Sequence, residues 1–152
     1  MRAFIYVLRY SALRISDLVA LKKERIDEHG RLFLRAAKNG KPISILLPPV
    51  VLESLAKISN EKHYFFWSGN GKLKSAVADW QRASVRLLKL AEVDGSAHRF
   101  RHTLARDLLS KGVSVENVAA ILGDTEAIIR KHYAQWVKVR QDALDAAVMS
   151  VW

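Results

Sequence analysis

The chain has 152 residues, half of them hydrophobic, which suits one folded domain with a real core and excludes disorder. It has no cysteine, so disulfides and thiolate metal sites are excluded. The net charge of +10, from 25 Lys and Arg against 15 Asp and Glu, is spread along the chain and marks a folded surface that attracts polyanions, nucleic acid above all. No apolar stretch approaches the roughly 20 residues that a membrane span needs. The opening Met1-Arg2-Ala3-Phe4 lacks the pattern of a signal peptide, so a cytoplasmic setting is expected.

Residues 1–24 read as helical, with Ile15, Leu18, Val19 and Leu21 at helical spacing and Ser11 able to cap a break between two helices. From Ile26 to Leu47 the pattern turns to short strands. Asp27-Glu28-His29-Gly30 is a turn, Arg31 to Ala37 and Ile43 to Leu47 are runs, and Asn39-Gly40 is a two-residue hairpin signal. A three-stranded antiparallel sheet is therefore expected. Pro48-Pro49 can start a helix from Val50 to about Ile58, and Leu73 to Ala91 reads as a long helix. Phe100, Leu104 and Leu108 make an apolar stripe on the next one, which Gly112 stops. Ser114 can cap a helix that Gly123 ends, and two helical runs follow, about Glu126 to Tyr133 and Val137 to Val148. The expected fold class is α+β, mainly helical, in one domain over residues 1–152.

The chain has no glycine loop for cradling phosphates, and neither HExxH nor a Cys/His cluster, so no metal site and no cofactor is indicated. Five basic or phenolic residues stand out instead: Arg14, Lys38, His98, Arg101 and Tyr133. His98 and Arg101 are three apart, on one helical face near the rim of the Phe100 stripe, where a guanidinium is held yet reaches a phosphate. A solvated basic helix end is the plainer reading of that pair.

Five segments in order resemble the boxes of the tyrosine recombinase (phage integrase) family. Ser11-Ala12-Leu13-Arg14-Ile15-Ser16-Asp17-Leu18 is similar to its first arginine box, and Ala37-Lys38-Asn39-Gly40-Lys41 to its lysine hairpin. His98-Arg99-Phe100-Arg101-His102-Thr103 matches HxxRHT. Val118-Ala119-Ala120-Ile121-Leu122-Gly123 matches the run before the last active-site segment, and Lys131-His132-Tyr133-Ala134 the nucleophile box. The resemblance implies the family's catalytic-domain fold, double-stranded DNA as partner, and cleavage and rejoining of strands through a 3′-phosphotyrosyl intermediate. It implies Arg14 and Arg101 on the phosphate, Tyr133 as nucleophile, Lys38 as proton donor to the leaving 5′ oxygen, and His98 as general base or phosphate ligand. Asp17, three residues after Arg14, is expected either as an exposed ion pair with Arg14 or as the carboxylate that fixes its guanidinium. His102 and His132 are expected to pack or hydrogen-bond locally.

Two departures from the family pattern stand out. The position nine residues before Tyr133, usually His or Trp, holds Asp124, which cannot donate to a phosphate and is expected to turn away and cap the helix near Glu126. The second is length: the family's N-terminal DNA-clamping domain is expected to be absent, since Met1 stands just one helix before Arg14. Both feed a rival reading, a catalytically weak or inactive DNA-binding module. Near the end, Leu144, Ala147, Val148 and Val151 form an apolar stripe through which a homo-oligomer on DNA is expected, with packing within the same chain as the alternative. The resemblance also implies a bacterial, nucleoid-associated setting.

Overall fold

The computed structural model describes residues 1–58 and 61–151, the side chains of residues 134 and 137–140 excepted. Helix α1 (Arg2–Ser11) buries Ala3, Phe4, Val7, Leu8 and Ser11, the spacing of one helical face. It stops where Ala12 takes a left-handed φ of 51°, with the Ser11 hydroxyl donating to the Val7 carbonyl at 2.6 Å. The chain then runs extended through Arg14 (φ −65°, ψ 146°) into the short α2 (Ile15–Val19). The break expected at Ser11 is present, but it leaves Arg14 outside any helix.

After a 3₁₀ turn at Lys23–Arg25, strands β1 (Arg31–Arg35) and β2 (Pro42–Leu46) pair antiparallel. The expected sheet of three strands is one of two. Ile26 makes a single bridge to Leu32. The 3₁₀ turn ends just before it, and the Asp27 carboxylate then accepts from the His29 and Arg31 amides, so the backbone turns before a ladder can form. The hairpin is also wider than Asn39-Gly40 alone. Ala36 donates to Lys41 and Gly40 donates back to Ala36, and of the two turn residues Gly40 has the positive φ, 68°.

Helix α3 (Pro49–Ala56) begins on its proline, and α4 (Leu73–Leu90) is the long helix expected there. Helices α5 (His98–Ser110), α6 (Val115–Leu122) and α7 (Glu126–Met149) complete the chain. Ser114 caps α6 by accepting from the Asn117 amide. Gly123 ends it at φ 62°, where a Cβ would stand 2.6 Å from the Ile43 side chain of β2. The two terminal runs form one helix in which Tyr133, at φ −128° and ψ 24°, is non-helical. The kink sits on the residue itself.

The core falls into two clusters. In the front one Phe4 stacks on Trp80 at 4.1 Å and meets Phe66 edge-on, amid Leu8, Leu18, Leu32, Ile43 and Val51. In the rear one Ala105, Leu109, Val118, Leu122, Ile129 and Tyr133 close around Ala12. The buried line of α5 is Arg101, Ala105 and Leu109, one residue on from the expected stripe. Because α5 lies between α1 on one side and α6 and α7 on the other, the seam between its neighbours is its most buried line. Phe100 packs on the front cluster, Leu104 and Leu108 on the rear, all half-buried.

Candidate active site

Where the clusters meet, a cleft of about 440 Å³ is lined by Arg14, Lys38, His98, Arg101, Asp124 and Tyr133, with His102 and His132 beside them. Arg14 comes from the extended link between α1 and α2, and Lys38 from the hairpin tip. His98 and Arg101 stand in the first turn of α5, and Tyr133 at the kink of α7. The fold thus gathers every candidate from the sequence except Asp17.

Arg101 is 6% exposed and its guanidinium is satisfied in three directions. It donates to the Ala12 carbonyl at 2.8 Å, the Leu122 carbonyl at 2.7 Å and the Asp124 carboxylate at 2.6 Å. The expected place at the rim of the core is overturned, because the guanidinium itself ties the front segment to the end of α6. Burial lowers its pKa from the ordinary arginine value, with Asp124 opposing the shift; an arginine stays charged at neutral pH all the same. Arg14 donates to the same Asp124 oxygen at 3.0 Å. Its Nη1 is buried with no hydrogen-bond partner among the described residues, a donor left unused at the cleft.

Asp124 does not turn away, contrary to expectation. Thr125 caps α7, accepting from the Ile128 amide, which leaves the Asp124 side chain free to answer two arginines. Attraction to one buried and one nearly buried cation outweighs one cap bond, each charge-assisted contact being about twice as strong as a neutral one.

The hairpin is tied down on both sides of Lys38. Asp17 accepts from the Ala37 amide at 2.8 Å, Asn39 donates to the Gly123 carbonyl at 3.0 Å, and the Lys41 ammonium donates to the Asp124 carbonyl at 2.6 Å. Neither expected role of Asp17 appears. Arg14 precedes α2 in extended backbone, so the two do not share a helical face, and the carboxylate, 5% exposed, holds the hairpin instead. Asp17→Ala is expected to cost about 1.5–3 kcal/mol, the range for a hydrogen bond to a charged group. It should also speed amide exchange at Ala37; unchanged exchange there would show that this contact does not anchor the hairpin.

Tyr133 is 5% exposed. Its hydroxyl lies 2.8 Å from His102 Nδ1, and its ring lies against His132 and Trp136. Burial raises its pKa above 10, so the phenol holds its proton at neutral pH. His98 is held below the ordinary histidine value by burial and then by the charges of Arg101, His102, Arg14 and Lys38. Burial, His132 and Arg101 do the same to His102. Two neutral imidazoles, a protonated phenol and two fixed guanidiniums thus share one cleft, a set that can grip an oxyanion and deliver a phenolate to it.

A sequence profile of the phage integrase family matches residues 1–138. The chain belongs to that family. Tyrosine recombinase XerA of Thermococcus kodakarensis is 26% identical over 142 residues, covering 88% of this chain and 50% of its own. A tyrosine recombinase of Thermosipho africanus is 32% identical over 127 residues, covering 80% and 44%. This member of the integrase family spans about half the length of the curated relatives it matches. In fold it resembles the crystal structure of XerA recombinase, at TM-score 0.69, 22% identity, and 84% and 50% coverage. It also resembles lambda integrase bound to DNA, at TM-score 0.60, 20% identity, and 82% and 50% coverage.

Within this family member, sequence reasoning missed what His102, Asn39 and Lys41 do. His102 carried a usable signal, since it lies one helical turn after His98 and so shares its face. The reach of Asn39 and Lys41 to residues 123 and 124 is a tertiary contact with no local trace.

Proposed function

We propose that this chain cleaves and rejoins double-stranded DNA through a 3′-phosphotyrosyl intermediate, as the strand-transfer part of a site-specific recombinase or integrase. The observation that carries the reading is the convergence of the Tyr133 hydroxyl with the Arg14 and Arg101 guanidiniums in one basic cleft. The arginines would grip the non-bridging oxygens, where charge builds in the transition state. Tyr133 attacks phosphorus, and Lys38, exposed on its anchored hairpin, hands a proton to the leaving 5′ oxygen. His98 joins the phosphate ligands. The phosphotyrosyl bond keeps the energy of the broken one, so a 5′ hydroxyl can reverse the step.

DNA is the proposed partner on the strength of the net charge and of fold neighbours described as bound to DNA, the lambda integrase and the Tn1549 transposon integrase among them. Leu144 and Val148, 48% and 52% exposed on α7, offer an apolar stripe for a neighbouring protomer on DNA. No helix among the described residues is long and apolar enough to cross a membrane. A cytoplasmic setting at the nucleoid belongs to the same proposal.

Asp124 bears on rate. Its carboxylate occupies N–H donors that the scissile phosphate would need, and it repels that phosphate. Asp124→His, which returns a donor, is expected to raise phosphotyrosyl formation by about 10²-fold, the usual worth of one such donor. Its melting temperature should fall, since two guanidiniums lose their counter-charge. Cleavage at or below the wild-type rate would refute this role.

The proposal itself is tested with a nicked suicide duplex, whose cleaved end diffuses away and traps the intermediate. A denaturation-resistant adduct with the DNA mapped to Tyr133 by peptide mass analysis supports it. DNA binding without an adduct, at enzyme excess and low salt, favours the binding-module reading instead.

A further inference from the structure

We propose that His102, one turn along α5 from the histidine of the HxxR pair, takes the proton of Tyr133 as it attacks. The inference rests on the recombinase reading above and assigns a further residue to its chemistry. A general base must stand within hydrogen-bond reach of the proton it removes. His102 Nδ1 is 2.8 Å from the Tyr133 hydroxyl, with the rings 5.7 Å apart between centroids. Among the described residues no hydrogen bond joins His98 to Tyr133. The charged neighbours of His98 are Arg101, His102, Arg14 and Lys38, with Tyr133 not among them.

Two backbone features produce the contact. His98 and His102 are four apart on α5, so both overlook the cleft, His102 nearer α7. At Tyr133 the backbone leaves helical geometry, which turns this residue differently from a side chain on a regular helix.

The electrostatics suit proton transfer in this direction. His102 is surrounded by His98 and Arg101 on its own helix and by His132 and Tyr133 on α7, with Arg14, Lys38 and Asp124 in the rest of the cleft. Burial and the neighbouring positive groups keep the imidazole neutral, and burial keeps the proton on the phenol. The phenol O–H then donates to an unprotonated Nδ1, and the imidazole carries its hydrogen on Nε2. As the Tyr133 oxygen bonds to phosphorus, its proton passes to Nδ1 and the imidazolium forms. The bond from phosphorus to the 5′ oxygen breaks, and that oxygen takes its proton from Lys38. Rejoining runs the sequence backwards, with His102 returning its proton to the departing phenolate and Lys38 recovering its own from the attacking 5′ hydroxyl.

Single-turnover cleavage of a suicide duplex, followed from acid to alkaline pH, tests this with wild type, His102→Ala, His102→Asn and Lys38→Ala. Asn keeps an acceptor close to where Nδ1 stands but cannot take a proton. Both His102 variants are expected to slow cleavage by about 10²-fold or more at neutral pH. Their deficit should narrow as pH rises toward the phenol's own pKa. On a duplex with sulfur at the bridging 5′ position the leaving group needs no proton. There the Lys38 variant should recover and the His102 variants should not.

A wild-type rate and pH profile in His102→Asn would overturn the proposal in favour of mere positioning, and recovery of the His102 variants on the sulfur duplex would overturn it in favour of an acid role. Nitrogen NMR of the free protein adds a readout independent of activity. Hydrogen on Nε2 is expected, and hydrogen on Nδ1 at neutral pH would refute the proposed direction of transfer. Adduct formed at the same rate by wild type and the His102 variants defeats this inference alone. No adduct from wild type on either duplex defeats the recombinase reading, and this inference with it.

Discussion

Tyr133→Phe is expected to abolish the covalent DNA adduct while leaving the fold and the affinity for DNA nearly intact. The substitution removes one oxygen and keeps the ring that packs against His132 and Trp136 in the rear core. What the fold loses is the hydroxyl's hydrogen bond with His102, worth about 0.5–1.5 kcal/mol net. That is on the order of 1–6 °C in melting temperature for a domain near this size. What the proposed chemistry loses is the atom that would bond to phosphorus. A histidine adduct, were His98 or His102 to substitute, would be labile where a phosphotyrosine is not. Adduct yield on the suicide duplex and retention of the duplex on a native gel are the two measurements. An adduct at wild-type yield would remove Tyr133 from the chemistry altogether, and loss of duplex binding would mean that the phenol serves recognition as well.

The second large effect is expected at Arg101, where stability and rate fall together. Alanine there leaves the Ala12 and Leu122 carbonyls without their donor and Asp124 with Arg14 as its remaining arginine partner. Removing one partner of a buried ion pair costs about 3–5 kcal/mol, which at a few degrees per kcal/mol lowers the melting temperature by on the order of 10 °C. Arg101→Lys separates the two roles. An ammonium keeps the charge but cannot reach three acceptors set in different directions. It should melt between wild type and Arg101→Ala, yet cleave slower than wild type by about 10²–10³-fold, the usual effect of losing one oriented donor to a developing oxyanion. Both variants melting with the wild type would contradict the tethering role. A lysine variant at full rate would show that charge alone is what the phosphate needs.

Arg101 also shows where reading the sequence stops. Its membership of the HxxRHT box was legible, and so was its place among the candidates that share the cleft. Its burial was not, because the Phe100, Leu104, Leu108 stripe is the more hydrophobic line and Arg101 lies on the adjacent one, with Ala105 and Leu109. Which line of a helix faces inward depends on the number of elements that pack around it. Around α5 pack α1, α6 and α7, and the seam between them favours Arg101, Ala105 and Leu109. Asp124 failed for a related reason. Aspartate before a helix is a good cap in any local reckoning. Two guanidiniums, one reaching from more than a hundred residues away in sequence, outbid that preference.

By itself the sequence determined the order of the boxes, the long helix α4, the capped and glycine-terminated α6, and the catalytic candidates Arg14, Lys38, His98, Arg101 and Tyr133. These rest on features within a few residues of each other: a cap and its amide, a glycine at positive φ, a fixed motif spacing. The tertiary structure alone decided that Asp17 anchors the hairpin, that Asp124 bridges the arginines, that the third strand shrinks to one bridge, and that Tyr133 reaches His102. Each of these is a choice between partners of similar local merit. Such a choice is made by whichever distant group the packed core brings within about 3 Å, and no local pattern encodes that distance.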